Sequence, residues 1–149
     1  GGVGARPAID LAQRLHDRDT IRIERRHVSS GSALEDRFGY SRAVRVGPQV
    51  WVAGTAPIMP DDSDPPPDPY GQAKRCLEIV EGALREAGGG LEHAVRTRLL
   101  MTDASFAPEI LRAHGDAFGE TRPACTGVVV GLLDSRWLVE IEVDAVLPE

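Results

Sequence analysis

Lysine is almost missing from this chain: Lys74 is the one ammonium among seventeen cationic side chains, and the rest are arginines. Twenty-three carboxylates outnumber them and leave a formal net charge of −6 at pH 7. Phosphate contacts need a basic patch, so this balance argues against a general nucleic-acid binder. Aromatic residues make up 5% of the chain. None is interleaved with the cluster Arg22, Arg25 and Arg26, which therefore reads as a solvated face and not as a stacking platform for single strands. Two cysteines, Cys76 and Cys125, are too few for a disulfide framework or a zinc site. Free thiols in a reducing cytosol are expected. The four histidines have no ligand spacing, so no protein-held metal is expected. No apolar run approaches a membrane span and no signal-peptide pattern opens the chain, which points to a cytoplasmic protein with no membrane partner.

What is present is ordinary globular material: 42% hydrophobic and 27% charged residues over 149 positions, enough for one domain with a sizeable core. Residues 1–19 read as an N-terminal extension and 20–149 as a single domain. Apolar positions within 8–18 fit a short helix. Ile21 and Ile23 alternate with Arg22, Glu24 and Arg26, a half-exposed strand over 20–28. Strands over 40–46 and 49–53 meet at Gly47-Pro48, a hairpin signal. Residues 56–70 hold six prolines and four aspartates. Proline cannot donate to a ladder, so this is an exposed loop, placed where it can cover a site. Over 72–87, Cys76, Leu77, Val80, Ala83, Leu84 and Ala87 share one helical stripe, and Gly88-Gly89-Gly90 stops it. A strand over 95–102 sets Val95, Thr97, Leu99 and Met101 against Arg96 and Arg98. A second helix over 108–118 carries Ile110, Leu111, Ala117 and Phe118 as its apolar stripe, after a cap at 103–105.

Strands over 122–130 and 139–145 close the chain. In the second, Val139, Ile141, Val143 and Ala145 alternate with Glu140, Glu142 and Asp144. A row of carboxylates repels itself unless it meets water or cations, or holds an acid for chemistry. The order predicts an α+β two-layer sandwich, a mixed sheet with two helices on one face. Val44, Val46 and Trp51 leave more apolar surface than two helices can cover, so the open face calls for oligomerisation.

Gly39-Tyr40-Ser41-Arg42, the hairpin into Val52-Ala53-Gly54-Thr55-Ala56-Pro57, the helix over 72–87, and Arg122-Pro123-Ala124 followed by Val139-Glu140-Ile141-Glu142 together resemble the Rid/YjgF family of reactive intermediate deaminases. The resemblance runs from about Ser30 to Leu147. It implies a chorismate-mutase-like α+β sandwich and a homotrimer with a small-molecule cleft between subunits. It also implies cofactor-free hydrolysis of imines and enamines such as 2-aminoacrylate to a keto acid and ammonia. Glu140 matches the family's acidic residue, Tyr40 a tyrosine near the cleft, and Thr55 adjoins the small-residue turn Ala53-Gly54. Arg112 falls where deaminating members have an asparagine. Cys125 replaces the arginine that grips the substrate carboxylate after Pro-Ala, a contact cysteine cannot make.

The resemblance thus assigns Glu140 as acid/base, with Tyr40, Gly54, Thr55, Arg112, Ala124 and Cys125 around the substrate. A carboxyl with raised pKa in a partly apolar cleft can both protonate an imine and activate water. The opposing reading makes Glu140 a solvated carboxylate paired with an arginine across the sheet. Arg96 and Arg98 are positioned to oppose Glu140, Glu142 and Asp144. Cys125 reads as a cleft-lining thiol, because no histidine is assignable as its base. Cys76 reads as packing. Without the arginine, a non-catalytic small-molecule-binding trimer is the alternative, and ribonuclease activity a third reading that the acidic balance opposes.

Overall fold

The computed structural model describes residues 23–148. The helix expected over 8–18 and the start of the strand expected over 20–28 lie outside them. Six strands, β1 (Arg25–Val28), β2 (Ala43–Val46), β3 (Gln49–Thr55), β4 (Ala94–Met101), β5 (Ala124–Val129) and β6 (Val139–Val146), form one sheet in the order β1-β2-β3-β6-β4-β5. All pairs are antiparallel except β4 with β5. Helices α2 (Pro69–Glu86) and α3 (Ala107–Phe118) cover one face, as the sequence predicts. A short helix α1 (Ala33–Phe38) is an addition, six residues long and with Glu35 as its one buried side chain. Ser32 caps it by accepting from Leu34 N, and Gly39 ends it at φ 73° in the left-handed region.

Helix α2 starts where its sequence says it should. Asp68 accepts from Gly71 N at 2.8 Å and Pro69 supplies a first-turn residue with no N–H to satisfy. Its expected stripe from Cys76 to Ala87 is wholly buried against the β6 face carrying Val139, Ile141, Val143 and Ala145. One row crosses the whole helix-covered face: Val28, Ala43, Val52, Val143, Thr97 and Cys125 stand in register on the six strands. The first five are buried. Cys125, on the edge strand, is exposed because α3 stops short of covering β5.

Two expectations fail, each at a single residue. Val95 points outward, 48% exposed, because the β4–β6 register shifts between Ala94 and Arg96. Leu111 is 50% exposed, and Ala113 takes its place on the buried side of α3. Asp103 caps a 3₁₀ turn at Ala104–Phe106 by accepting from Ser105 N, one turn earlier than α3 itself.

The proline-rich segment 56–68 is strapped down. Buried Gln72 donates through Nε2 to Pro66 O and Arg136 O and accepts from Leu138 N through Oε1. Arg136 then bridges Asp134, Asp62 and Asp64.

Candidate functional site

The site is built on an irregularity in β3. Val52 pairs with Val143 and Thr55 with Ile141, so three steps on β3 oppose two on β6 and Ala53-Gly54 form a bulge. Thr55 is fully buried, and its hydroxyl donates to Ala53 O at 2.7 Å, closing the bulge from inside. Thr55 therefore does not face a ligand, contrary to the sequence-based expectation. A β-branched residue at this inward position of the strand turns its side chain to the core.

Glu140 sits on the outer side of the bulge. A β-carbon placed on Gly54 would lie 3.4 Å from Glu140 Oε2 and 3.6 Å from its carboxyl carbon. Glycine at 54 is thus what leaves the carboxyl room to lie over the backbone. Across β4, Arg98 stands opposite Glu142 and Arg96 opposite Asp144, but Glu140 stands opposite Leu100. Arg98 contacts Glu142 at 3.4 Å and Asp144 at 3.6 Å. The arginine ladder serves two of the three carboxylates and ends one pair short of the third. Burial raises the Glu140 pKa above its ordinary value, Arg42 opposes the rise, and Glu142 adds to it.

Arg42 is the residue sequence reasoning did not single out. Its Nη2 donates to Ala53 O, Gly54 O and Thr55 Oγ1, each at 2.8 Å, so the guanidinium is fixed to the bulge. Its Nε is enclosed and has no hydrogen-bond partner among the described residues. Burial lowers its pKa, and the charges of Glu140, Glu35 and Tyr40 work against that. Glu35 is held ionised mainly by Ser30, whose side chain and backbone N–H both donate to Oε2. A signal was present: alternation puts residues 40, 42 and 44 on one face of the strand entering the hairpin, so an arginine two positions after Tyr40 had to follow it toward the same side. Tyr40 itself lies before β2, half exposed, in the turn that follows α1, where its N–H donates to Glu35 O.

Ala124 and Cys125 are elsewhere. Cys125 opens on an apolar groove of about 540 Å³ between β5 and α3, shared with Met101, Ala107, Leu111, Gly127 and Val129. This is the helix-covered side of the sheet, whereas Glu140 occupies the other. Within one chain the acid and the thiol cannot meet. Arg112 joins neither group: its guanidinium packs 4.0 Å over the Tyr70 ring, whose hydroxyl donates to Asp116. It therefore stands apart from the expected substrate contacts, because the α3 phase that turns Leu111 to the groove turns Arg112 toward α2. Cys76 is buried, with its thiol pKa pushed up by burial, a packing residue as expected. No helix among the described residues is long and apolar enough to cross a membrane.

The family model described as Endoribonuclease L-PSP matches residues 30–147. An uncharacterized protein of Streptomyces coelicolor, SCO2049, is 40% identical over 80% of this chain and 90% of its own length. The 3-aminoacrylate deaminase RutC of Acinetobacter baylyi is 30% identical over 68% of this chain and 82% of its own. Among solved structures, Rv2704 of Mycobacterium tuberculosis, a member of the YjgF/YER057c/UK114 family, superposes with a TM-score of 0.76 at 43% identity, covering 83% of this chain and all of that one. The α+β sandwich is accordingly the chorismate-mutase-like fold, and the chain belongs to the YjgF/RutC family matched by the Endoribonuclease L-PSP model.

Proposed function

We propose that this protein is a homotrimeric, cofactor-free hydrolase of small imines or enamines in the cytoplasm, with Glu140 as its acid/base in a cleft completed between subunits. The observation that supports this most is the isolation of Glu140. It is the one carboxylate of its row with no arginine opposite it on β4, it is partly desolvated, and it lies over a glycine that leaves one side open. The deaminase name carried by one relative is consistent with the reading. The intersubunit cleft follows from the division of the candidate residues. Gly54 and Glu140 lie at the bulge and Ala124 and Cys125 on the far edge strand, which supports a cleft to which a neighbouring copy brings its β5.

In the proposed reaction the protonated Glu140 gives its proton to the imine nitrogen. The carboxylate left behind takes a proton from water as the water oxygen bonds to the imine carbon. Glu140 returns that proton to the nitrogen of the resulting carbinolamine and then takes the hydroxyl proton as the C=O bond forms and the C–N bond breaks, so ammonia and a carbonyl product leave and Glu140 is again protonated. For 2-aminoacrylate, tautomerisation to the imine comes first and pyruvate is the product. Positioned acid–base groups contribute on the order of 10²- to 10⁴-fold, so Glu140→Gln should lower kcat by that range. The test is pyruvate formation from 2-aminoacrylate generated in situ, with mass measured by light scattering. A monomer that turns over normally, or activity untouched by Glu140→Gln, overturns the proposal.

A second reading has its own observation. Cys125 faces an apolar groove that no cation among the described residues lines, which favours a chain that holds a metabolite without hydrolysing it. Ligand binding by calorimetry with no turnover by mass spectrometry would favour that reading.

A further inference from the structure

We propose that Arg42, just ahead of β2, receives the anionic group of the ligand beside Glu140, doing what Cys125 cannot. The inference rests on the acid/base reading of Glu140 and adds the residue that grips the carboxylate of a small 2-imino or 2-enamino acid. Arg42 is a largely enclosed cation, and among the described residues no carboxylate lies within ion-pair distance of it. Such a charge is costly unless an anion arrives to face it. Of the two acids close enough to act on it, Glu35 is committed to Ser30, and Glu140 acts on it without a direct ion pair among the described residues. The three bonds from Nη2 hold the guanidinium plane still. Among the described residues Nη1 makes no hydrogen bond, so the planar fork keeps a donor for a carboxylate.

The spacing fits the chemistry. In a 2-imino acid the carboxylate is bonded directly to the carbon that water attacks. The group that grips the one and the acid that serves the other must therefore be neighbours. Arg42 bonds the carbonyl of Gly54, and Glu140 lies over the α-carbon of the same residue. Cys125 lies on the opposite side of the sheet among Met101, Leu111 and Val129, where it offers a carboxylate nothing.

The test compares pyruvate, an anionic product analogue, with pyruvamide, its neutral isostere, by calorimetric titration of the whole protein. Wild type should bind pyruvate more tightly, and Arg42→Gln should reduce that preference on the order of ten- to a hundred-fold, the effect of removing one charge-assisted contact. The ratio is unaffected by a fall in the fraction folded. If the variant does not fold, the Arg42 side-chain resonance of isotope-labelled wild type decides: it should move with pyruvate and stay with pyruvamide. Equal binding of the two compounds, no binding of either, a preference that survives Arg42→Gln, or a resonance that does not move overturns the assignment. Turnover of 2-aminoacrylate that ignores Arg42→Gln refutes Arg42 and leaves the hydrolase reading standing. Pyruvate binding through Arg42 with no turnover does the reverse.

Discussion

Gly54→Ala separates the geometry around Glu140 from every assumption about substrate. The backbone at Gly54 is not in the left-handed region, and the new methyl would meet Glu140 Oε2 at 3.4 Å, its carboxyl carbon at 3.6 Å and Oε1 at 3.9 Å. These are ordinary contact distances, so the fold should accept the change. Removing a glycine's freedom from the unfolded chain is worth about 0.4–1 kcal/mol where the backbone tolerates alanine. For a domain of this size that corresponds to a rise in Tm of roughly 1–4 °C. The same methyl displaces water from one carboxyl oxygen. Burial already raises the Glu140 pKa, and further desolvation raises it again. Thermal melts read the first effect. An NMR titration of the Glu140 side-chain carboxyl carbon reads the second, and requires no substrate. Where activity is measurable, the acidic limb of the pH–rate profile should move upward and KM should rise as the open side of the carboxyl fills. A fall in Tm of several degrees, or a Glu140 titration indifferent to the methyl, would refute the placement of this carboxyl over the bulge.

Four further outcomes are expected. Thr55→Val removes the hydroxyl that joins Ala53 O to Arg42 and should cost about 1–3 kcal/mol; an unchanged denaturation midpoint would refute that role. Gln72→Ala breaks three bonds between α2, the proline-rich segment and the β5–β6 connection. It should cost about 2–3 kcal/mol and speed proteolysis within 56–68, so uncleaved segments at matched stability would count against the strap. Cys125→Arg should leave Tm within about 1 °C, since the side chain is exposed on an edge strand, and should raise turnover of 2-aminoacrylate; no gain would mean that the groove serves another ligand. Glu140→Gln should stabilise the protein at about pH 8 and lose that advantage on acidification. Because burial raises this carboxyl's pKa above the ordinary 4.5, the folded chain binds the proton more tightly than the unfolded one. The stability held back in wild type is therefore recovered as pH falls through the folded pKa toward the unfolded value. A Tm difference between variant and wild type that is flat with pH would contradict this.

The layers and the order of the main elements could be read from the chain because period and punctuation agree in it. The stripe from Cys76 to Ala87 and the alternation from Val139 to Ala145 are long enough to fix their own phase, and both are buried as expected. Short elements carry no such redundancy: six residues of α1 with one buried side chain give no periodic signal. Bulges are the other loss. A single extra residue reverses the facing beyond it, which is why Val95 came out on the wrong side; Arg96 and Arg98 stand opposite two acids, and the third faces Leu100. The site suffered most, since it is made of such an irregularity. Glu140 could be named from its place in the row. The role of Arg42 depends on a side chain reaching across a bulge to three acceptors on β3, and no spacing in the sequence encodes that reach. Thr55 and Arg112 were misplaced by assigning a function to a position without its facing.

The bulge also bears on how the open face can be closed. A second copy laid over this face would cover Val46 and the cross-strand pair Val44 and Trp51, and would desolvate the carboxylate row. Glu142 and Asp144 can accept this because Arg98 contacts both. Glu140 cannot, since its neighbour on β4 is Leu100 and an unpaired buried carboxylate is expensive. Assembly through this face therefore requires a recess at Glu140, open to water or filled by a ligand, and the bulge at Ala53-Gly54 supplies the gap from which such a recess is built. The residue that assembly would otherwise force into the neutral form is the one whose pKa burial already raises in the single chain. Association should then raise it further. Glu140 titration followed across the concentration range in which copies associate should show its midpoint climbing with the associated fraction, and a midpoint independent of concentration would mean that this face stays uncovered.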